Sequence, residues 1–402
     1  LRRHSRRCDG NTPSLSGALQ NTPQPRAAAI MAALVDGKPP ARIAVLGAGW
    51  WAQGWHLPDL HATPQTTIAA IVDPNPRPRS AIPPALEPLA ALAATYGCPT
   101  FASLDALLAA GVAFDGVVCC APHASHYALG AAALAAGKHV LMEKPMTTDV
   151  GEAARLADAA ERHPRLYFAV NNTASWRPQA LAAAAWVRGG RVGAVEHVSC
   201  SFHSPLLWLF DDPANVGWTT PSGAMLGNGF AWGQMSHPIA WILQATGLEP
   251  SIATCAMTFA ERSGADLTNA ATIETKSGAT VALSGAGSVP GTAHGAGSVG
   301  KFVSIRIFGS EGMVSYEGDD SKPESGKLEL SRRDGGHDVV DGFLFENFVQ
   351  GGRGPESLLA FVAACRGEAA VAAIDAPLGA AVVRTIDAMY RSAKAGARVS
   401  IA

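Results

Sequence analysis

The sequence has few charged residues and no surplus of either sign. Charged residues make up 16% of the 402 residues, hydrophobic residues make up 48%, and the formal net charge is -2. This composition excludes an intrinsically disordered chain, which combines few apolar residues with many charges. The charge balance also gives no support to nucleic-acid or membrane-surface binding. We therefore expect small-molecule chemistry or protein partners.

The sequence also lacks a disulfide pattern and a long apolar run. Its seven cysteines are scattered and form no C-x2-C pair, which favours free thiols in a reducing, cytoplasmic compartment. Charged residues interrupt every apolar stretch before the ~18 residues of a membrane-spanning helix. No H-E-x-x-H, P-loop or G-x-S-x-G motif occurs. Cys119, Cys120, His123 and His126 are close in sequence, but neighbouring strand residues face opposite sides, so no metal site is predicted.

Residues 1–40 differ from the rest of the chain. Four arginines crowd the first seven residues, and Pro, Asn, Ser and Thr follow. Three interpretations stay open: an arginine-rich peptide for organelle import within residues 1–30, untranslated sequence before a true start at Met31, or a leader of no special meaning. Under each of them we expect 1–40 to be disordered or absent from the mature protein.

The remaining residues predict two domains. Over 41–165, apolar runs at 41–46, 68–73, 114–120 and 139–142 alternate with helical patterns at 50–60, 83–96, 103–110, 125–136 and 149–162. This alternation is typical of a doubly wound parallel sheet, a Rossmann domain. Over 166–402, longer β-rich runs and a final helix at about 378–394 predict an α/β domain on a large, mostly antiparallel open sheet.

A glycine motif follows the first predicted strand. Gly47 and Gly49 suit a tight turn and close approach of a pyrophosphate, and Ala52 allows close packing of helix on strand. The helix that begins at Trp50 turns its positive end toward the phosphates. Asp73 ends the second strand 24 positions after Gly49, near the ~20 expected for an acid that binds the adenosine ribose. The pattern predicts a dinucleotide site.

Longer strings resemble one known family. Gly47-Ala48-Gly49-Trp50-Trp51-Ala52, Asp73-Pro74-Asn75 and the run from Ala135 to Pro145 (A-A-G-K-H-V-L-M-E-K-P) resemble the Gfo/Idh/MocA oxidoreductases. The resemblance extends over about residues 41–402. It implies a Rossmann domain, a C-terminal α/β domain, and hydride transfer between NAD(P) and a sugar, cyclitol or related small molecule. It also implies that Trp50, Trp51, Pro122, His126 and Glu143 border the cofactor.

The resemblance assigns the reaction to two segments. It places Lys144 beside the nicotinamide, where an ammonium stabilises an alkoxide or polarises a carbonyl, and where Glu143 can orient it. The run from Gly227 to His237 (G-N-G-F-A-W-G-Q-M-S-H) resembles the family pattern G-G-G-x-L-x-D-x-G-x-H. His237 falls on the catalytic histidine, but Gly233 stands where the pattern has its catalytic aspartate and Met235 where it has a glycine.

These departures leave two functions open. The first is an NAD(P)-dependent oxidoreductase acting on a sugar-like substrate through Lys144 and His237. The second is a dinucleotide-binding or redox-sensing protein that kept the fold without the reaction. Asp73 favours NAD, because a carboxylate repels a 2′-phosphate, while Arg77 and Arg79 keep NADP open. The resemblance further implies a homo-oligomer, a dimer or tetramer. Aromatic residues suited to a sugar site are Trp176, Trp208, Trp218 and Trp232, with Arg177.

Overall fold

A six-stranded parallel sheet organises the first part of the chain in the computed structural model, which describes residues 37–291, 298–322, 324–345 and 356–401. Its strands are β1 (Ala41–Leu46), β2 (Thr66–Val72), β3 (Thr100–Phe101), β4 (Gly116–Cys119), β5 (His139–Met142) and β6 (Phe168–Val170). They lie in the order β3-β2-β1-β4-β5-β6. The order reverses between β1 and β4, and open α/β sheets bind ligands outside the carboxyl ends of the strands at such a point.

A nine-stranded sheet follows. Its strands are β7 (Val195–His203), β8 (Pro250–Phe259), β9 (Asp266–Thr275), β10 (Thr280–Ala286), β11 (Phe302–Gly309), β12 (Gly312–Asp319), β13 (Gly326–Arg332), β14 (His337–Phe343) and β15 (Val399–Ser400). They lie in the order β14-β13-β12-β11-β7-β10-β9-β8-β15. Only the β7–β10 pair is parallel among these described strands. The predicted fold class, a Rossmann sheet plus a large, mostly antiparallel sheet, is confirmed.

Helices cover both sheets. The described α-helices are α1 (Leu57–Ala62), α2 (Leu89–Tyr96), α3 (Leu104–Ala109), α4 (His126–Ala135), α5 (Val150–Arg162), α6 (Pro178–Arg188), α7 (Leu207–Phe210), α8 (Val216–Thr219), α9 (Ser236–Thr246), α10 (Glu356–Cys365) and α11 (Ala376–Ala395). A wider, π-helical turn at Ala52–His56 leads into α1, and another at Ala231–Met235 leads into α9. Two 3₁₀ turns span His123–Ser125 and Thr173–Trp176. None of the helices in the described ranges is both long and apolar enough to cross a bilayer.

Local signals placed most elements of the first sheet correctly. Ser103 and Asp149 cap α3 and α5, and their side chains accept hydrogen bonds from the N–H groups of Ala106 (3.1 Å) and Glu152 (2.7 Å). A helix was predicted over 83–96, but the observed helix α2 begins only at Leu89, so the first half of that prediction was wrong. The residue before a proline is sterically disfavoured in the helical backbone conformation. Pro84 restricts Pro83 in this way, and Pro88 restricts Glu87.

The end of the chain returns to the first sheet. Leu358 and Phe361 of α10 pack in the same buried cluster as Ile43 of β1 and Leu141 of β5. Helix α11 packs against both α5 and β8, so it joins the two sheets. The boundary between 165 and 166 stays a prediction. The segment before residue 37, with the expectations made for it, lies outside the described residues.

Candidate active site

The glycine turn after β1 has the geometry that a pyrophosphate needs. Gly47 has a φ of +98°, and a Cβ there would lie 2.7 Å from the backbone nitrogen of Ala121, so only glycine fits. A Cβ on Gly49 would meet no atom within 4 Å. The space in front of Gly49 is therefore open, at the start of the helical segment that begins at Trp50. Ala52 is fully buried against the sheet.

Asp73 lies at the carboxyl end of β2 and holds the glycine turn. Its Oδ2 accepts a hydrogen bond from the N–H of Ala48 (2.8 Å), and its Oδ1 accepts one from the N–H of Asn75 (2.8 Å). The carboxylate is only partly buried, and each oxygen has a second lone pair for a ribose hydroxyl. Arg77 and Arg79 are exposed a few residues further on.

Three tryptophans border the turn. The ring of Trp51 stacks on Trp55 with centroids 4.2 Å apart, and Trp50 meets Trp55 edge to face at 4.7 Å. The indole N–H of Trp50 donates to the carbonyl of Pro83 (3.2 Å). The indole N–H of Trp51 donates to Oε1 of Glu143 (2.9 Å). Trp51 therefore links the glycine turn to the segment after β5.

Glu143 is the centre of a buried network. Besides Trp51, its Oε1 lies 2.8 Å from Nε2 of His56 and 2.7 Å from the donating amide nitrogen of Asn171. Its Oε2 accepts a hydrogen bond from the backbone N–H of Lys144 (3.2 Å). Glu143 thus fixes the main chain that carries Lys144.

The same network decides the charge of Glu143. Burial alone would raise the pKa of this carboxyl, but the hydrogen bond and charge of His56, with the contributions of Asn171 and Lys144, lower it to about 2. Glu143 is therefore a carboxylate at any pH near neutrality.

His126 connects the loops after β4 and β5. Its ring has no exposed surface, and Nδ1 and Nε2 lie 2.8 Å and 2.9 Å from the carbonyl oxygens of Pro145 and Ala121. A ring without exposed surface acts on a cofactor only through the loops that it holds. Pro122, in the first of these loops, is exposed. The peptide bond between Lys144 and Pro145 is cis.

Lys144 extends from the end of β5 toward the second part of the chain. Its Nζ donates a hydrogen bond to the carbonyl oxygen of Gly233 (2.6 Å) and lies 5.0 Å from the ring centroid of Trp218. The residue that replaces the aspartate of the family pattern therefore still contacts the lysine, through its main chain. Pro238 lies five positions after Gly233 and has no N–H to offer that carbonyl in the π-helical register.

The π-helical turn Ala231–Met235 carries Gly233 and leads to His237. His237 is the second residue of α9 and has 6% of its surface exposed. Beneath the turn, Asp266 accepts a hydrogen bond from the N–H of Ala231 (2.9 Å) through Oδ2 and one from the hydroxyl of Tyr390 through Oδ1. Burial raises the pKa of Asp266 to about 6, although both hydrogen bonds oppose this.

Several residues of the site escaped the sequence analysis. They are His56, Asn171, Asn228, Asp266 and Tyr390. His56 and Asn171 contact Glu143 from 87 and 28 positions away in the chain, and no local pattern marks such pairs. Of the tryptophans considered for a sugar site, Trp176 and Trp232 are core residues with 5% and 2% exposure. Trp218 is the one that contacts Lys144.

No group of three or more His, Cys, Asp or Glu side chains within the described ranges is arranged to hold a metal ion. His123 and His126 have ring centroids 5.6 Å apart, and His126 is engaged by the two carbonyls.

Two family models match consecutive parts of the chain. Residues 41–171 match the oxidoreductase family with an NAD-binding Rossmann fold, and residues 180–315 match the GFO/IDH/MocA C-terminal domain. Together the two models cover most of the chain.

Curated relatives align with only part of the chain. Galactose 1-dehydrogenase of Pseudomonas fluorescens is 35% identical over 29% of this chain and 32% of its own length. A dTDP-3,4-didehydro-2,6-dideoxy-alpha-D-glucose 3-reductase of Streptomyces violaceoruber is 35% identical over 41% of this chain and 44% of its own length. The chain thus spans less than half of each of these relatives.

Solved structures share the whole fold. A putative dehydrogenase from Bordetella bronchiseptica superposes with a TM-score of 0.67 at 20% identity, over 90% of this chain and 100% of its own. A putative myo-inositol dehydrogenase from Sinorhizobium meliloti gives a TM-score of 0.64 at 23% identity, with the same coverage. At these identities the likeness concerns the fold alone.

Proposed function

We propose that this chain, which belongs to the Gfo/Idh/MocA oxidoreductase family, moves a hydride between NAD and a carbon of a sugar, cyclitol or related polyol or keto compound. One observation carries the proposal. Lys144 lies two residues past the carboxyl end of β5, and its ammonium donates a hydrogen bond to the carbonyl oxygen of Gly233 (2.6 Å) in the turn that leads to His237. A fixed ammonium at this edge of the sheet has the chemistry that a reacting hydroxyl or carbonyl needs.

The residues around the glycine turn fit the cofactor. Gly47 leaves no space for a Cβ and Ala52 is fully buried, while the open space at Gly49 suits a pyrophosphate. The first N–H groups of the helical segment from Trp50 face that space. Asp73 would hold the adenosine ribose. When bound, the nicotinamide supplies the hydride acceptor or donor.

Lys144 and His237 would serve the substrate. The Lys144 ammonium would donate a hydrogen bond to the reacting oxygen and stabilise negative charge on it. Glu143 would hold the main chain of Lys144 in place by accepting the hydrogen bond from its backbone N–H. His237, four residues after Gly233, would pass the proton to or from the site, as an imidazole does near neutral pH.

NAD is the proposed cofactor, with NADP as the second choice. A 2′-phosphate would lie against the carboxylate of Asp73, which is unfavourable. Arg77 and Arg79 are exposed nearby and are the residues that would accept a 2′-phosphate.

A sugar-like substrate is supported by the names of the relatives, which are a galactose dehydrogenase and a reductase of a nucleotide-linked deoxysugar. No nucleic-acid or membrane partner forms part of the proposal. The described cysteines are free thiols, in keeping with a cytoplasmic protein.

We also propose that the chain forms a homo-oligomer through the nine-stranded sheet. Residues on the outward face of the sheet are mostly small and at least partly exposed. They include Ser199, Ser201, Ala256, Ala270, Thr272 and Ser284. A broad face of small side chains lets two sheets approach closely. Analytical ultracentrifugation of the wild type and Ala270→Glu tests this, since a buried carboxylate would disperse the oligomer.

The function is tested by a substrate screen with both cofactors. NADH binding is followed first, by nicotinamide fluorescence, and then sugars, cyclitols and polyols are tested by absorbance of the reduced cofactor. Turnover of at least one compound is expected. Tight NADH binding without turnover of any compound would instead support the non-catalytic, redox-sensing function.

A further inference from the structure

We propose that Trp218 is the specificity-determining residue of this site, and that its ring face selects substrates with a closed polyhydroxylated ring over open-chain polyols. The inference rests on the proposed function and names its substrate class. Three observations place the ring beside Lys144 and hold the segment that carries it.

The first contact is with Lys144. The Nζ of Lys144 lies 5.0 Å from the centroid of the Trp218 ring, a distance at which an ammonium is attracted to an aromatic face. The ring is only partly buried. A substrate whose oxygen reaches Lys144 therefore lies next to the indole.

The second contact involves Gly233. A Cβ at this position would lie 3.0 Å from Cζ of Phe210 and 3.7 Å from Cε3 of Trp218. The two aromatic rings thus occupy the space toward which a side chain at 233 would point. The family pattern has an aspartate here, so its loss in this chain is matched by an aromatic wall.

The third contact comes from Asn228. Its side-chain amide donates to the carbonyls of Gly217 (3.2 Å) and Thr220 (3.0 Å), one at each side of Trp218, and only 3% of the residue is exposed. The family pattern has a glycine where this chain has Asn228, so this position is also a departure from the pattern. Two departures from the pattern, at 228 and 233, therefore support the same ring.

The shape of the wall predicts the selected substrate. The face of an indole is flat, electron-rich and apolar, and it favours contact with polarised C–H groups. A six-membered polyol ring offers several C–H groups on one face without further ordering. An open-chain polyol must first lose rotational freedom to offer the same surface. The ring compound should therefore bind better by about three- to tenfold.

Variants of Trp218 test this directly. Trp218→Leu and Trp218→Phe are compared with Trp186→Leu, since Trp186 is also partly buried but lies on α6, with the Arg191 guanidinium 5.9 Å from its ring. For each, kcat and KM are measured with D-glucose, D-galactose and myo-inositol, and with D-glucitol and galactitol. Trp218→Leu should raise KM three- to tenfold for the ring compounds alone. Trp218→Phe should largely preserve the wild-type KM, and Trp186→Leu should change KM for neither class of compound.

Equal changes for both classes, or none, would overturn the proposal. If the wild type turns over no compound, the proposed function fails by itself. The same sugars are then titrated calorimetrically into the NADH-bound proteins. Weaker ring binding in Trp218→Leu alone supports the role of Trp218, whereas equal affinity in all variants, or no binding of any ring compound, rejects it.

Discussion

The proposed cofactor side and the proposed substrate side of the site are built differently. On the cofactor side, Gly47, Gly49, Ala52 and Asp73 each have the geometry that the glycine motif demands. On the substrate side, the turn with Gly233 departs from the family pattern, and the departures are coupled to distant residues. The cofactor side follows from short stretches of chain, while the substrate side depends on contacts between distant segments.

Two buried carboxyl groups show the same contrast. Glu143 receives several donors, and its pKa is lowered to about 2. Asp266 also receives hydrogen bonds, but burial prevails and raises its pKa to about 6. The difference lies in the partners: His56, Asn171 and the Lys144 ammonium act on Glu143, whereas Tyr390 and a backbone N–H contact Asp266. The surroundings of Glu143 therefore favour its charged form, whereas the surroundings of Asp266 favour its protonated form.

The largest effect on kcat is expected at Lys144, which lies where the two proposed sides of the site meet. Lys144→Met should keep NADH affinity and lower kcat by roughly 10²–10³, because developing charge on the substrate oxygen loses its donor. Lys138→Met is the matched control, since Lys138 donates to the carbonyl of Phe114 away from the site. Stopped-flow kinetics and NADH titration measure both. A near-normal kcat in Lys144→Met would remove this lysine from the reaction.

Glu143→Gln should destabilise the cofactor side by about 3 kcal/mol at pH 7, because it leaves a buried network without its charge. The pKa of Glu143 is lowered in the folded state, so its contribution exists above about pH 4.5 and is lost as the pH falls toward 2. Urea unfolding from pH 3 to 7 measures this. The exposed Glu161→Gln should change stability by less than about 0.5 kcal/mol. Equal effects of the two would contradict the network.

Asp266 should give the wild-type stability a pH dependence opposite to that of Glu143, and Asp266→Asn tests this. A pKa raised to about 6 means that the folded chain holds this proton more tightly than the unfolded one. The free energy of unfolding therefore falls as the pH rises from about 4 to 6, by roughly 1.4 kcal/mol per pKa unit. The substitution should remove this fall, and the exposed Asp105→Asn should leave it intact. A wild-type slope that survives in Asp266→Asn would show that another group titrates.

Gly233→Asp sharpens the comparison on the substrate side. Restoring the aspartate of the family pattern should lower kcat/KM by about tenfold, because the new side chain collides with Phe210 and displaces Trp218. Gly233→Ala should cost less, and Phe210→Leu combined with Gly233→Asp should recover part of the loss. Increased activity in Gly233→Asp alone would mean that the aromatic wall has not replaced the carboxylate.

The smallest effect concerns cofactor choice. Asp73→Ser should lower the ratio of kcat/KM for NAD over NADP by about fivefold, because a hydroxyl repels a 2′-phosphate less than a carboxylate does. The ratio is informative even though the substitution also loosens the turn at Ala48, since that loss affects both cofactors. An unchanged ratio would assign the choice to Arg77 and Arg79.

What the sequence could predict follows the same division. Strands β1, β2, β4 and β5 and the helices that begin after Ser103 and Asp149 arise from neighbouring residues, and they were predicted close to their observed positions. The short strands β3 and β6 were missed. Lys144 and His237 were proposed through the family resemblance, and their roles stay proposals. The partners of Glu143 and the packing of Phe210 against Gly233 depend on segments that meet only in the folded chain. A single sequence carries no local signal for them.

The acceptor that Gly233 offers to Lys144 is a main-chain carbonyl, and every amino acid has one. A substitution at position 233 can therefore change the size of the side chain there without removing the carbonyl that accepts the hydrogen bond from Lys144. A survey that judges relatives only by the side chain at this position would discard proteins that keep the contact. Position 238 is the informative one to compare, because proline there withholds the N–H that would otherwise compete for that carbonyl.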